Sequence, residues 1–341
     1  MSEHLIVGVD LGGTNVRAAL VEPETGKIVG KSFQTSSHAK EGVEACVNSI
    51  VQVIREAMTQ EGKINGIGMA VPGHIQGNIV RWAPNFRMRK DGDFEIWKNV
   101  PLGEKIEKEF GLPVVMGNDA NLAAWGEYCF GTGGKKAKGF AMFTLGTGIG
   151  FGMVLTPECV TGGLSGATLL IGGNAGGAEG GHMVIVKDGA PHPSAVAGTV
   201  EAYCGVHAII QRAQKKWESP KASILREISK NNPENINPKL LHEAAEKGDE
   251  ASREVWRETG EYLGVGIANV INLFAPEIVA LGGQIAKVAD WILQPARESA
   301  RKYSIPTLFA DTKIVQAERI DDAGILGAAA FAATILERRG E

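Results

Sequence analysis

Apolar and polar positions along the chain fall into short runs closed by glycine. Leu5-Ile6-Val7-Gly8-Val9-Asp10 is an apolar run that ends on a carboxylate, and Leu11-Gly12-Gly13-Thr14-Asn15 turns the chain into a second run, Val16-Arg17-Ala18-Ala19-Leu20-Val21. Two such runs around a glycine tip predict a β-hairpin. The same device returns from Gly139 to Leu155 around Gly146-Thr147-Gly148. Its repetition about one domain later predicts two similar folding units. Between them, Val43, Val47, Ile50, Val51 and Ile54 form one helical stripe within residues 41–60, and Ile64 to Val71 reads as a buried strand stopped by Pro72-Gly73. Pro101 to Phe110 reads as a short helix, and Arg81 to Val100, rich in Trp, Asn and charge, as loop and edge structure.

The stretch Val114-Val115-Met116-Gly117-Asn118-Asp119-Ala120-Asn121 is an apolar strand ending on an amide and a carboxylate, ahead of an apolar helix. A polar pair at the C-terminal edge of a strand faces the crevice where α/β proteins hold ligands, which makes Asp119 a candidate base. The plainer alternative for an Asx pair in that place is helix capping. Further on, Gly162 to Gly181 is too glycine-rich for a regular element. From Val200 the pattern is mostly helical, with an exposed charged stretch from Lys215 to Asp249. A third apolar strand, Ile278-Val279-Ala280-Leu281, ends in Gly282-Gly283, and a strand near Thr312 to Gln316 precedes an Ala-rich helix.

Composition narrows this picture. With 341 residues, 44% of them hydrophobic and 22% charged, the chain suits a globular protein of two domains. A net charge of −4 lacks the basic footprint of a nucleic-acid or anionic-membrane binder. The apolar run from Ala323 to Leu336 falls short of the roughly 20 residues that span a bilayer. Four separated cysteines, Cys46, Cys129, Cys159 and Cys204, form no C-x-x-C pair. The first strand leaves no room for a signal peptide, so a cytoplasmic protein is expected.

The chemistry is written at the glycine tips. Bare backbone approaches a polyphosphate closely, and successive N–H groups cradle anionic oxygens. Neither Gly-x-x-x-x-Gly-Lys-Ser/Thr nor G-x-G-x-x-G is present. Two glycine hairpins, the Gly282-Gly283 turn and Asp10 beside the first tip together point to a phosphate site. In this combination and order, Asp10-Leu11-Gly12-Gly13-Thr14-Asn15, Leu145-Gly146-Thr147-Gly148-Ile149-Gly150, Asn118-Asp119-Ala120-Asn121 with Ala124-x-Gly126-Glu127, and Leu281-Gly282-Gly283 resemble the ROK sugar kinases of the actin-like ATPase superfamily. The resemblance runs from Val7 to about Ala330.

That resemblance implies an α/β, two-domain actin-like ATPase (ribonuclease H-like) fold with a glycine-tipped hairpin in each lobe. The expected lobes are 1–118 with the terminal helix 321–341, and 119–320, hinged near Gly117 and Gly324. It implies ATP with Mg²⁺ as phosphoryl donor, held by Asp10, Gly12, Gly13, Thr14, Asn15, Gly146, Thr147, Gly148, Gly282 and Gly283, with Asp10 near the metal ion. Asp119 would be the catalytic base, and Gly73, Asn118, Asp119, Glu179, His182 and Glu201 would hold the sugar. Taken alone, Glu179 reads equally as a loop carboxylate, His182 as a histidine at a strand start, Glu201 as an acidic residue at a helix N-terminus, and Gly73 as a turn former. Many family members carry three zinc-binding cysteines after the histidine, where this chain has His192, Ser194 and Thr199. Ser and Thr are poor zinc ligands, so no structural zinc is expected.

The expected reaction is phosphorylation of a hexose at its 6-hydroxyl. Ala83-Pro84-Asn85 and Trp97-x-x-Val100-Pro101-Leu102, together with the Asn118 to Glu127 motif, look closer to the family's glucose kinases than to its N-acetylhexosamine kinases. N-acetylmannosamine, N-acetylglucosamine, fructose or mannose are the alternative acceptors. A sugar-sensing regulator of the same family would carry a helix-turn-helix, for which four residues before Leu5 leave no room. An actin-like filament or chaperone ATPase would lack a sugar pocket. The resemblance implies a homodimer through the larger lobe.

Overall fold

A computed structural model of the chain describes residues 4–60, 62–90, 93–192 and 196–340. In chain order the first half gives β1 (Leu5–Leu11), β2 (Asn15–Glu22), β3 (Lys27–Ser36), α1 (Val43–Ala57), β4 (Ile64–Val71), β5 (His74–Gln76), β6 (Ile79–Lys90), β7 (Asp93–Val100), α2 (Leu102–Phe110), β8 (Val114–Asn118) and α3 (Asp119–Phe130). Then come β9 (Phe140–Leu145), β10 (Ile149–Leu155), β11 (Thr168–Leu169), α4 (Val200–Cys204), α5 (Val206–Lys215), α6 (Ser223–Ile228), α7 (Pro238–Glu246) and α8 (Glu250–Phe274). The chain closes with β12 (Ile278–Gly282), α9 (Asp290–Tyr303), α10 (Pro306–Ala310), β13 (Lys313–Gln316) and α11 (Ala323–Gly340).

Two five-stranded sheets repeat one plan, β3-β2-β1-β4-β8 and β11-β10-β9-β12-β13. In each, a hairpin supplies the antiparallel strands and two further strands join in parallel, β4 and β8 beside β1, and β12 and β13 beside β9. Parallel neighbours require crossovers, which α1, α2, α8 and α9 provide. The first sheet buries its apolar face with the stripe of α1 that carries Cys46, Ile50, Val53 and Ile54. The second buries Phe143, Phe151 and Leu281 with Trp256, Leu263 and Ile267 of α8. The hairpin of residues 139–155 therefore does mark a second copy of the folding unit.

Helices α3 and α11 lie against one another; α11 covers β1 and β4 while α3 packs on β10. Their approach is backbone to backbone: a methyl group on Gly327 would collide with the Leu122 carbonyl, so only glycine lets the helices meet there. α3 and α11 thus carry the contact between the two sheets.

Three expectations need correction. Residues 81–90 and 93–100 are not loop: β6 and β7 pair antiparallel and, with β5, make a three-stranded sheet, while 91 and 92 lie outside the described residues. Phe86 and Trp97 are fully buried there, with ring centroids 4.8 Å apart. The ladder shifts register between Ala83 and Arg87, which hides its two-residue rhythm from a periodicity reading. The charged stretch 215–249 is likewise no simple exposed segment, because Trp217, Leu225, Ile236, Leu241 and Ala245 are buried, three of them on α6 and α7. His182 does not begin a strand either; it ends a 3-10 turn at Gly180–His182, and among the described residues the run after it makes an isolated bridge, Val184 to Thr199, and no strand.

Candidate active site

At the end of β8 the two polar residues divide their work. Asn118 keeps an extended backbone and caps α3, its Oδ1 accepting the N–H of Ala120 at 3.0 Å and of Asn121 at 3.1 Å. Its Nδ2 donates to the Gly73 carbonyl at 3.0 Å, which ties the turn after β4 to the same point. The capping role thus falls to Asn118 and frees Asp119. Asp119 sits half-buried in the first turn, with Oδ1 accepting the Ala120 N–H at 3.0 Å. Asn121 donates to the Phe151 carbonyl at 2.8 Å and anchors the helix on β10.

Asp119 has a carboxyl pushed up to about 6. Burial is the main cause, followed by the charge of Asp10; Glu179 adds to it, and the Ala120 N–H opposes it. Asp10 of β1 and Glu179 of the glycine-rich segment are therefore near enough for Asp119 to feel their charges. A group held this close to neutrality is suited to accept a proton and give it up again.

A second cluster faces the second glycine tip. Glu201, in the first turn of α4, accepts the Ile149 N–H on Oε2 at 2.6 Å, and its Oε1 lies 2.8 Å from His192 Nε2. A methyl group on Gly148 would strike this carboxylate, so the bare tip lets Glu201 reach it. Glu179 and His182 form an ion pair at 3.5 Å, and the His182 ring stands perpendicular to His192 with centroids 6.2 Å apart. Glu179 raises the His182 pKa. The glycine-rich segment does more than connect: the Asn174 carbonyl meets His74 Nε2 at 2.8 Å and so closes on β5.

The first tip is held by Gly12 N donating to Asn15 O at 2.8 Å, while Ser37 N donates to Thr14 O at 2.8 Å. The second is held by Gly146 N donating to Gly148 O at 3.0 Å, with Thr147 exposed at its turn. Gly13 has nothing within 4 Å of where a Cβ would lie, so the fold itself does not demand glycine there. At the end of β12, Gly283 adopts φ +79°, and a side chain on it would strike the Leu145 carbonyl, which fixes this turn against the root of the second tip.

A chain of ion pairs joins these parts. Asp10 Oδ2 accepts from Arg17 at 2.6 Å, Arg17 also donates to the Asp321 carbonyl at 2.7 Å, and the Asp321 carboxylate accepts from Lys287 at 2.6 Å and Gln284 at 3.1 Å. These contacts pull Asp321 down in pKa and link the first tip to the region after Gly283. Arg17, Lys287 and His192 are side chains whose contacts around the tips residue-by-residue reading missed. Asp10 and Arg17 are direct cross-strand partners, so counting outward from the hairpin tip would have found that pair. The structure brings Gly73, Asn118 and Asp119 to one point and Glu179, His182 and Glu201 to another, coupled through Asp119. A cavity of about 1000 Å³ lined by Trp125, Tyr128 and Leu336 opens at the other end of α3, away from these groups.

The ROK family profile matches residues 6–335. A glucokinase of Thermotoga maritima is 33% identical over 100% of both chains. A xylose repressor of Caldicellulosiruptor bescii is 27% identical over 96% of this chain and 77% of its own. The crystal structure of a ROK family glucokinase from Streptomyces griseus, in complex with glucose and AMPPNP, superposes with a TM-score of 0.80 at 30% identity, covering 97% of this chain and 99% of that one. With the family profile spanning nearly its whole length, the chain belongs to the ROK family.

Proposed function

We propose that this protein transfers the γ-phosphoryl group of ATP to the 6-hydroxyl of glucose. The observation that carries this reading is the Asp119 carboxyl at the N-terminus of α3, held by the Ala120 N–H, next to Asn118 in the chain, and pushed up to about 6 by burial and by the charges of Asp10 and Glu179. Glucokinase relatives of full length support the choice of acceptor. Gly73, Asn118, Glu179, His182 and Glu201 supply the donors and acceptors that a ring of hydroxyls needs on several sides, and Asn118 and Glu201 are already fixed by backbone contacts. Asp119 takes the proton from the sugar hydroxyl as its oxygen bonds to the γ-phosphorus; the bond to the β-γ bridging oxygen breaks and ADP leaves.

The glycines and polar residues of the two tips, Gly12, Gly13, Thr14, Asn15, Gly146, Thr147 and Gly148, bind phosphate oxygens through backbone N–H groups, and Gly282 and Gly283 border the adenosine. Mg²⁺ enters as part of the MgATP substrate and neutralises charge on the phosphates. Asp10 suits it: the carboxylate is half-buried, and Arg17 is placed on Oδ2. Lobes 1–118 with 321–341 and 119–320 would close about Gly117 and Gly324 to keep water from taking the phosphoryl group. Gly324 lies in the first turn of α11, so close to Asp10 that a Cβ would stand 2.9 Å from its carboxyl carbon. Leu273, Phe274, Tyr303 and Ile305 are exposed together on the larger lobe, where Asn272 bonds to Tyr303 and Ile305, which supports the dimer. We place the enzyme in the cytoplasm; among the described residues no helix is long and apolar enough to cross a membrane.

A panel of sugars with coupled ADP detection tests the acceptor. Glucose is expected to turn over fastest; N-acetylmannosamine, N-acetylglucosamine, fructose or mannose turning over far faster would overturn the choice, and ADP release indifferent to any sugar would overturn the kinase. The donor site has its own test. Because Gly13 has open space around it, Gly13→Ala should leave the melting temperature within about 2 °C. It should raise the KM for ATP at least tenfold, since the methyl group would occupy the approach of the phosphates. An unchanged KM would remove this tip from the nucleotide site.

A further inference from the structure

We infer that His192 is the positioning residue for Glu201, holding that carboxylate in the one orientation in which it serves both the sugar and the second glycine tip. The inference rests on the reading of Glu201 as a sugar contact. Glutamate has three rotatable bonds, and fixing them costs conformational entropy if binding must do it. Here the protein fixes them beforehand. One oxygen accepts from Ile149 N–H at 2.6 Å and the other lies 2.8 Å from His192 Nε2, with both side chains largely buried at 15% and 17% exposure. A carboxylate only accepts, so the contact assigns the proton to His192 Nε2. Each carboxylate oxygen keeps a second lone pair, which leaves room for a sugar hydroxyl.

The loop that carries His192 is built to aim it. After His182 the chain doubles back on α4 at three points: Met183 O accepts from Val200 N at 2.9 Å, Gly198 O from Ile185 N at 2.8 Å, and Tyr203 Oη from Ala190 N at 2.8 Å. Tyr203 is itself stacked on Tyr262 with ring centroids 4.2 Å apart. Thr199, fully buried, caps α4 by accepting the Ala202 N–H at 3.1 Å and so sets the start of the helix on which Glu201 stands. His192 and Thr199 occupy two of the three positions where many relatives would have thiolates. Both side chains work directly on the Glu201 helix, one through an imidazole and one through a hydroxyl cap. In this brace His192 Nε2 meets Glu201, and the Thr199 hydroxyl meets the helix terminus.

Steady-state kinetics of His192→Gln, His192→Asn and His192→Ala in the full-length enzyme test this. A glutamine amide reaches about as far as Nε2 and keeps a donor, whereas asparagine has the same chemistry one carbon short. The expected result is a glucose KM raised at least tenfold in His192→Ala and His192→Asn, within about threefold of wild type in His192→Gln, with kcat and the KM for ATP changed less than about threefold in all. A loop that is merely structural would respond to all three changes alike and would lower kcat together with affinity. Equal defects in the Gln and Asn variants, or a glucose KM that none of them moves, overturn the inference. So does one equivalent of tightly bound zinc in the purified wild-type protein, because His192 would then be a ligand. If another hexose proves the better substrate, the same comparison is made with that hexose; a wild-type enzyme that phosphorylates no sugar overturns the underlying reading instead.

Discussion

Asp119→Asn is expected to lower kcat for glucose phosphorylation by about 100-fold to 10,000-fold, the usual contribution of a general base, while making the folded protein more stable near neutral pH. The second half follows from the sign of the shift. Asp119 has its carboxyl raised from 3.8 to about 6 by burial and by the charges of Asp10 and Glu179. A carboxyl raised on folding contributes stability that is fully present below its ordinary value and is lost as pH rises through about 6. At about pH 7.5 the native state thus carries a buried charge it would be more stable without. The full shift corresponds to about 3 kcal/mol, and since Asp119 is half-buried the realised gain on neutralising it is about 1–3 kcal/mol. The amide keeps the contact with Ala120 N–H and removes the repulsion. Thermal unfolding should show Asp119→Asn melting a few degrees above wild type at about pH 7.5, with the difference gone by about pH 4. In wild type, kcat/KM should fall tenfold per pH unit below about 6. Activity within tenfold of wild type in the Asn variant would take the base from Asp119, and a lower melting temperature at pH 7.5 would refute the account of its charge.

What could be read beforehand, and what could not, divides by sequence distance. The hairpins were legible because apolar runs bounded by glycine are local signals, and the duplication was legible because the signal occurs twice. Asp119 was legible as a strand-end carboxylate, although its capping neighbour Asn118 had to be seen before the two roles came apart. β6 and β7 were lost because a register shift breaks the alternation that marks a strand. The contact of His192 with Glu201 needs a loop that folds back on its own helix, and that of Arg17 with Asp321 joins residues 304 positions apart. No spacing rule reaches that far. The same limit hid the role of Glu127, which the family motif places beside the catalytic residues and the structure places elsewhere.

Glu127→Gln is expected to destabilise the protein by about 3–5 kcal/mol and lower its melting temperature by about 4–7 °C, with kcat at 20 °C within a few fold of wild type. The Glu127 side chain is fully buried on α3, two turns beyond Asp119, and it points away from the sugar groups. One oxygen accepts from Thr132 N at 2.9 Å, Thr132 Oγ1 at 3.0 Å and Glu318 N at 2.8 Å; the other accepts from Arg319 N at 2.8 Å. All four partners are donors, so the site requires a group that only accepts. An amide would keep one acceptor and turn an NH₂ group against a backbone N–H, leaving buried donors unsatisfied; hydrogen bonds to a charged group are worth about 1.5–3 kcal/mol each, though not additively. The position of the partners says what is lost. Residues 318 and 319 lead from β13 into α11, and α11 covers β1 and β4, so one carboxylate pins the place where the chain returns to the first sheet. Arg319 is further held by Asp322 at 2.5 Å, at the very start of that return. Loosening the pin should therefore free α11 without moving Asp119. Differential scanning calorimetry beside a glucose assay at 20 °C separates the two: a variant that melts within about 2 °C of wild type would show that the crossing is held by the helix packing at Gly327 alone, and one that folds normally but loses turnover as Asp119→Asn does would return Glu127 to the chemistry.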